Sequence, residues 1–187
     1  MTKYKCGWCV GDKLYEAYHD TEWGVPVYDD HQLFEFLILE TFQAGLSWIT
    51  ILRKRENFRL AFDFFDYKKI ANYDEDKKDE LLQNAGIIRN KLKVNATISN
   101  AQAFIKIQEE FGSFSKYLWA FVDNKPIKNK LKNSKDAPAN TLISKTLSKD
   151  LKKRGFKFVG STVMYAFMQA IGIVNDHEVN CFRYQEV

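Results

Sequence analysis

The chain places Cys6 and His19 near one end of its 187 residues and His177 and Cys181 near the other. These four use two of its three cysteines and two of its three histidines. The second pair reads His-Glu-Val-Asn-Cys, and residues four apart share one face of a helix. Two thiolates and two imidazoles make a complete tetrahedral set for zinc. A site closed by four protein ligands is structural, because it leaves no position for a substrate. Such a site would force the two ends of the chain together, which constrains the fold more than any other feature of the sequence. The competing reading is four separate core residues, since free cysteine is commonly buried. Cys9 widens the choice. Cys6-Gly-Trp-Cys9 is a C-x-x-C, a spacing that serves redox chemistry or could supply both N-terminal ligands in place of His19. A thioredoxin-type motif should follow a strand in a βαβ unit, and no such pattern surrounds this one.

The rest of the chain reads as helix, so the expected fold class is all-α. Helices are expected over 11–21, 30–44, 48–59, 66–71, 75–85, 89–111, 114–122, 141–154 and 161–171. Gly45, Gly86, Gly112, Gly155 and Gly172 stand just past the ends of such segments, and Ser47, Asp74, Ser113 and Ser161 are placed as N-caps. The Lys/Asn-rich stretch 123–140, with Pro126 and Pro138, is the expected long surface connection. The length fits one domain over 1–187, with 1–25 and 172–187 as a subregion joined by the metal. Hydrophobic residues at 45% and aromatics at 15% are globular composition and exclude a disordered chain. No apolar run reaches the roughly 18 residues of a membrane span, and no apolar segment follows the basic start as in a signal peptide. A cytoplasmic monomer without a membrane partner is expected. The net charge of +4 permits a polyanionic partner without requiring one.

Three constellations could carry chemistry. Leu33, Leu37, Glu40 and Ala44 fall on one helical stripe, which sets a carboxylate on an apolar face. A buried carboxylate is paired, protonated or waiting for a ligand. The structural alternative is pairing with a buried arginine. Directly after it, Gln43-Ala44-Gly45-Leu46-Ser47-Trp48 turns a corner: Gly45 ends the helix, Leu46 is presented at the turn, and Trp48 opens the next helix. A second aromatic group, Trp8, Tyr15, Tyr18 and Trp23, surrounds His19. Aromatics with one carboxylate suit a flat ring that is cationic or rich in donors, although aromatics at helical spacing more often form core.

The third constellation is Leu151-Lys152-Lys153-Arg154-Gly155-Phe156-Lys157-Phe158-Val159-Gly160-Ser161-Thr162. A basic helix end runs through a short apolar hairpin into a new helix, a helix–hairpin–helix pattern. Gly160 would let a phosphate approach the backbone, with free N–H groups from Ser161 onward to hold it. Lys152, Lys153, Arg154 and Lys157 would attract a polyanion without reading its sequence. A plain αα-hairpin with a solvated basic face accounts for the same residues.

Six segments taken together resemble one family: CGW at 6–8, LYEAYHDTEWGVP at 14–26, QAGLSWITILRKREN at 43–57, AGIIRNK at 85–91, RGFKFVGST at 154–162 and VNDHEVNC at 174–181. In this order they are similar to the bacterial DNA-3-methyladenine glycosylase I family of the helix–hairpin–helix superfamily. The resemblance implies a structural zinc on Cys6, His19, His177 and Cys181, with no ligand role for Cys9. It implies that Glu40 is the pocket carboxylate and catalytic group, that Tyr18 and Trp48 bind the base, and that Trp8 and Tyr15 line the same region. Gly45 and Leu46 would enter the duplex opposite the extruded nucleotide, and Lys157, Gly160 and Ser161 would grip the DNA backbone. The implied reaction is hydrolysis of the N-glycosidic bond of 3-methyladenine in alkylated double-stranded DNA, releasing the free base without strand cleavage. Many superfamily members carry an Asp after the second hairpin helix. That position falls near Asn175 and Asp176 here, and neither is assigned a catalytic role. The rival from another class is a non-catalytic, zinc-stapled DNA-binding module, which would not need Glu40, Tyr18 and Trp48.

Overall fold

The structure, a computed structural model, describes residues 3–187; residues 1 and 2, the start of the expected 1–25 terminal segment, lie outside the described residues. It is mostly helical. The helices are α1 (Lys13–Thr21), α2 (Asp30–Gln43), α3 (Trp48–Leu52), α4 (Arg55–Ala61), α5 (Tyr67–Ile70), α6 (Glu75–Gln83), α7 (Lys91–Phe111), α8 (Phe114–Trp119), α9 (Leu142–Lys153), α10 (Ser161–Ala170) and α11 (Arg183–Glu186). Polar side chains start several of them. Asp12 accepts from Leu14 and Tyr15 N–H, Asp29 from Gln32, Asp74 from Lys77, Asn90 from Lys93 and Ser113 from Lys116. Each satisfies a donor that the helix start would otherwise leave unpaired.

The centre is α2, in which every residue from Leu33 to Phe42 is buried. It packs against α3, α7, α8 and α10. A helix apolar on all sides must be enclosed by neighbours, and phenylalanines supply much of the enclosure. Phe42 meets Phe58 of α4 with ring centroids 4.7 Å apart, and Phe34 meets Phe104 of α7 at 5.1 Å. Phe104 in turn stacks on Phe114 of α8 at 4.2 Å.

Several expected boundaries differ. The segment 48–59 is two helices, because the chain turns at Arg53 and Lys54. Ser47 stands at the N-cap of α3, yet its hydroxyl bonds Thr50 Oγ1 at 2.7 Å and caps no backbone N–H. Gly160 is the N-cap of α10, with Ser161 as its first helical residue. The short α11 was not expected.

The stretch 123–140 is built into the fold rather than laid over it. Its strand β1 (Ile127–Lys128) pairs in parallel with β2 (Val174–Asn175), so the molecule is not wholly α. A bridge between Leu131 and Glu178 extends the pairing. Glu178, itself buried, accepts from Ser134 N–H at 2.9 Å, from the Ser134 hydroxyl, and from Tyr4 OH at 2.7 Å. One carboxylate thus ties the C-terminal segment to both the 123–140 stretch and the N-terminal segment. Among the described residues, no helix is long and apolar enough to cross a membrane.

The two ends of the chain meet through their backbones. Gly24 N–H donates to Gln169 O at 3.1 Å, Val27 N–H to Ile171 O at 3.0 Å, and Phe182 N–H to Tyr4 O at 3.1 Å. Gly172 marks the closest approach. A Cβ there would lie 2.4 Å from Pro26 N and Val25 C, and its φ of +71° is one that L side chains rarely adopt. Gly172→Ala should therefore force the ends apart. We expect it to destabilise the protein by about 2–4 kcal/mol, read as a lowered thermal midpoint; a midpoint equal to wild type would show that this contact is not under compression.

Candidate functional site

Where the ends meet, they place four donors together. Cys6 Sγ lies 3.6 Å from His177 Nδ1, and Cys181 Sγ lies 3.7 Å from His177 Nδ1 and 3.4 Å from His19 Nε2. All four donor atoms lie within 4.8 Å of one another, and all four residues are buried. Each imidazole is oriented by its other nitrogen. His19 Nδ1 donates to Asp20 Oδ1 at 2.8 Å, and His177 Nε2 donates to Trp23 O at 3.0 Å. A carboxylate and a carbonyl only accept, so the proton sits on that side and the inward nitrogen keeps its lone pair. Burial pushes the Cys6 thiol above its ordinary value, and the Glu178 N–H, which points at Cys6 Sγ from 3.3 Å, acts against that shift. The group can hold a metal ion. Cys9 is buried beside it, but its thiol donates to Cys6 O at 3.2 Å and it is not among the four.

Next to this cluster lies a cavity of about 210 Å³ lined by Trp8, Tyr15, Tyr18, Trp23, Glu40, Gln43, Trp48, Ser134, Ala137, Ala166, Gln169 and Asp176. It is smaller than most drug-sized ligand pockets, so it suits a single ring system. Aromatic contacts run from it to the four donors. Trp8 meets Tyr15, Trp23 and His19 with centroids 4.7, 5.0 and 5.4 Å apart, and Trp23 meets His177 at 4.6 Å. Tyr18 of α1 and Trp48 of α3 face each other at 5.3 Å.

Glu40 enters this space from α2 and is 3% exposed. Glu40 takes part in no ion pair among the described residues, whereas Glu35 on the same helix does. Arg55 binds Glu35 through Nε at 2.6 Å and Glu22 through Nη1 at 2.6 Å. Glu40 Oε2 and Trp48 Nε1 are buried with no hydrogen-bond partner among the described residues. A buried acceptor and a buried donor left open on one cavity are costly unless a ligand completes them. Burial alone pushes the Glu40 carboxyl up to about 8. Asp176 contrasts with it. Its carboxylate accepts from Tyr165 OH at 2.7 Å, Gln169 Nε2 at 2.8 Å and Asn129 Nδ2 at 2.7 Å, so it is engaged within the wall.

The expected pocket residues Trp8, Tyr15, Tyr18, Glu40 and Trp48 therefore line one cavity. Sequence reasoning missed Gln43, Ala166 and Gln169, and it missed the contribution of Ser134 and Ala137. The last two belong to the Lys/Asn-rich stretch, whose composition signals only a loop. Gly45, Leu46 and Ser47 form an exposed corner, with Gly45 at φ +83° and Leu46 42% exposed. Lys157 lies exposed in the 154–160 connection between α9 and α10. One expected cation is not free: Arg154 is bound to Glu110 at 2.6 Å and to Asp150 at 2.7 Å.

These features define a helical protein with a buried Cys/His cluster beside a small cavity lined by aromatic side chains and one buried carboxylate. The methyladenine glycosylase family model matches residues 8–184. DNA-3-methyladenine glycosylase 1 of Escherichia coli is 49% identical over 180 residues, covering 96% of both chains. DNA-3-methyladenine glycosylase of Haemophilus influenzae is 47% identical over 177 residues, 95% of this chain and 96% of its own. A crystal structure of 3-methyladenine DNA glycosylase I superposes with a TM-score of 0.93 at 50% identity, covering 96% of this chain and 98% of that one. The chain belongs to the methyladenine glycosylase family.

The pKa of Glu40 makes stability depend on pH. The folded value, about 8, exceeds the ordinary 4.5, so between these pH values the folded state holds a proton that the unfolded state has released. Stability from this group is fully present below 4.5 and lost as pH rises through 8. Glu40→Gln cannot titrate. We expect wild type to lose on the order of 2–4 kcal/mol relative to Glu40→Gln across that window, measured by parallel denaturant titrations; parallel pH curves for the two proteins would show that Glu40 is compensated.

Proposed function

We propose that this protein excises 3-methyladenine from alkylated double-stranded DNA by hydrolysing its N-glycosidic bond, with 1–187 acting as one monomeric glycosylase domain. The observation that carries the reading is Glu40: a buried, unpaired carboxylate that lines one aromatic cavity together with an unpaired Trp48 Nε1. A related structure at 37% identity and a TM-score of 0.92 is of a 3-methyladenine DNA glycosylase I variant in complex with 3-methyladenine.

Methylation at N3 gives adenine a positive charge in the nucleoside. Inside the cavity, Glu40 is the anion that such a ring requires and neutral adenine does not. A cation reverses the burial that holds the carboxyl protonated, so the ligand itself favours ionisation of Glu40. Trp48 and Tyr18 supply ring surfaces, and Trp8 and Tyr15 close the wall. The glycosidic electron pair passes to the departing base, which leaves neutral. The sugar cation takes up water at its anomeric carbon and loses a proton. Selection of an already weakened bond and extrusion of the right nucleotide then account for most of the catalysis. A strand-cleaving step would need a lysine nucleophile. Lys93 is the buried lysine among the described residues, and its Nζ is engaged by backbone carbonyls outside the cavity lining.

The ion at the four-donor cluster is read as zinc. A tetrahedral zinc with Zn–S of about 2.3 Å and Zn–N of about 2.0–2.1 Å sets sulfur and nitrogen ligands about 3.5 Å apart. The observed separations of 3.4, 3.6 and 3.7 Å fit that ion. Bound there, it would supply a structural crosslink, and the chain's own aromatic contacts would carry its rigidity to the pocket.

The α9–α10 unit is read as a helix–hairpin–helix grip on the DNA backbone. Gly160 has an ordinary φ of −60°, and a Cβ there would meet nothing within 4 Å. Neither conformation nor internal packing requires glycine at this position. Approach of a phosphate from outside does, and the amides from Ser161 onward face the same space. Lys157 adds charge, and Gly45 with Leu46 is read as the element that enters the duplex.

Two experiments test these readings. Purified protein should carry one zinc per chain by metal analysis. Cys181→Ser should lose it together with several kcal/mol of stability, whereas Cys9→Ser should keep it; the reverse pattern would refute the ligand set. Alkylated duplex should yield free 3-methyladenine. Glu40→Gln should weaken selection of the methylated base by about tenfold or more, since a charge-assisted hydrogen bond contributes roughly 1.5–3 kcal/mol. Trp48→Ala should lower affinity for the free base while duplex binding persists. No release by wild type would favour the non-catalytic module.

A further inference from the structure

Lys93 stands in the first turn of α7 and is 5% exposed. An ammonium taken out of water needs acceptors. Its Nζ has two, the carbonyls of Phe42 and Ala44, each at 2.7 Å. These are the terminal carbonyls of α2, immediately before the Gly45–Leu46 corner. No basic residue of α2 itself occupies its last turn, so a cation from α7 meets the negative end of the helix. The same ammonium lies 6.0 Å from the ring centroid of Phe158, which sits in the 154–160 connection with a φ of +56°. Asn100 of α7 holds that connection from below. Its Nδ2 donates to Lys157 O at 3.1 Å, and its Oδ1 accepts from Lys157 N–H at 2.8 Å.

One helix therefore grips both exposed elements, the corner through Lys93 and the hairpin through Asn100. Within the corner, Leu46 N–H donates to Gln43 O at 2.6 Å, but the side chains offer no further hold. Gly45 and Leu46 are exposed, and a Cβ on Gly45 would meet nothing within 4 Å. We propose that Lys93 is a positioning residue for base extrusion: by holding the Phe42 and Ala44 carbonyls it sets the Gly45–Leu46 corner at a constant distance from the Lys157–Phe158 hairpin. This rests on the reading above that the corner enters the duplex while the hairpin holds the backbone. A wedge displaced by about 1 Å relative to the grip misplaces the nucleotide, and such errors cost up to roughly a hundredfold in rate. Glu40 lies one turn inside α2, but Gln43 between the two held carbonyls also lines the cavity, so free-base affinity is read separately from extrusion.

The test is a double-mutant cycle with Lys93→Met, Leu46→Ala and the two combined. Free 3-methyladenine is titrated by tryptophan fluorescence, nucleotide extrusion is followed with 2-aminopurine beside the lesion, and base release is measured in single turnover. Lys93→Met should keep free-base affinity within about twofold of wild type while extrusion and release from duplex fall by about tenfold or more. The double variant should release base no more slowly than Leu46→Ala alone, because both act through one element. Lys93→Gln, which keeps an N–H donor, should show a smaller loss of the same kind, and it carries the test if Lys93→Met does not fold. Equal losses of free-base affinity and release would make Lys93 a purely structural residue and overturn the proposal, as would additive losses in the cycle. Normal release by Lys93→Met beside a defective Leu46→Ala removes the proposal alone. Normal release by Leu46→Ala removes the corner reading and the proposal with it.

Discussion

The walls of the cavity come from segments that meet where residues 4–28 lie against residues 169–187. Tyr4, Gly24 and Val27 exchange backbone hydrogen bonds with Gln169, Ile171 and Phe182, and Gly172 comes so close to Val25 and Pro26 that no side chain fits. Loop-closure entropy opposes a contact between positions this far apart in sequence. The opposition is met by many partners at one place: the four sulfur and nitrogen donors, the buried Glu178 and the parallel β1–β2 pair. Trp8, Tyr15, Tyr18 and Trp23 ride on the N-terminal half of this junction, and Gln169 and Asp176 on the other. Without the junction, these residues would not face one another.

Against it stands α2, which contributes Glu40 from a helix buried along nearly its whole length. Burying a carboxylate without a partner is unfavourable. Glu35, also buried on α2, is paired with Arg55 and Arg59, whereas Glu40 has only its burial. The apolar mass around α2, with Phe34, Phe42, Phe58 and Phe104 among the fully buried rings, offsets that cost. Local instability retained at a ligand site and compensated by the surrounding core is a common trade between stability and activity.

Much of this was legible from residue types and spacing. The Cys6, His19, His177 and Cys181 set was legible as candidate donors by residue type, with Cys9 and isolated core residues as alternatives that the family resemblance, not spacing, set aside. Glu40 read as exceptional because a carboxylate interrupts an apolar stripe, though the stripe understates the burial: α2 is enclosed on all sides and not on one face. The Gly45 corner was visible because a helix pattern ends there and another begins. The 123–140 stretch was not legible. Its lysines and asparagines suggest a solvated connection, yet Ser134 and Ala137 reach the cavity because Glu178, far away in sequence, caps the turn at Ser134. The engagement of Arg154 by Glu110 was hidden for the same reason.

By itself the sequence determined the helical class, the order of the elements, the presence of a carboxylate within an apolar segment and the four candidate donors. These follow from local periodicity, turn chemistry and residue type, which act over a few positions. Tertiary structure alone decided that Arg55 pairs with Glu35 and Glu22, that Asp176 is engaged by three donors, and that Lys93 caps a helix about fifty residues away in sequence. Each is a choice among partners of similar chemistry. Such choices are made by distance and burial, which exist only once the chain has closed on itself.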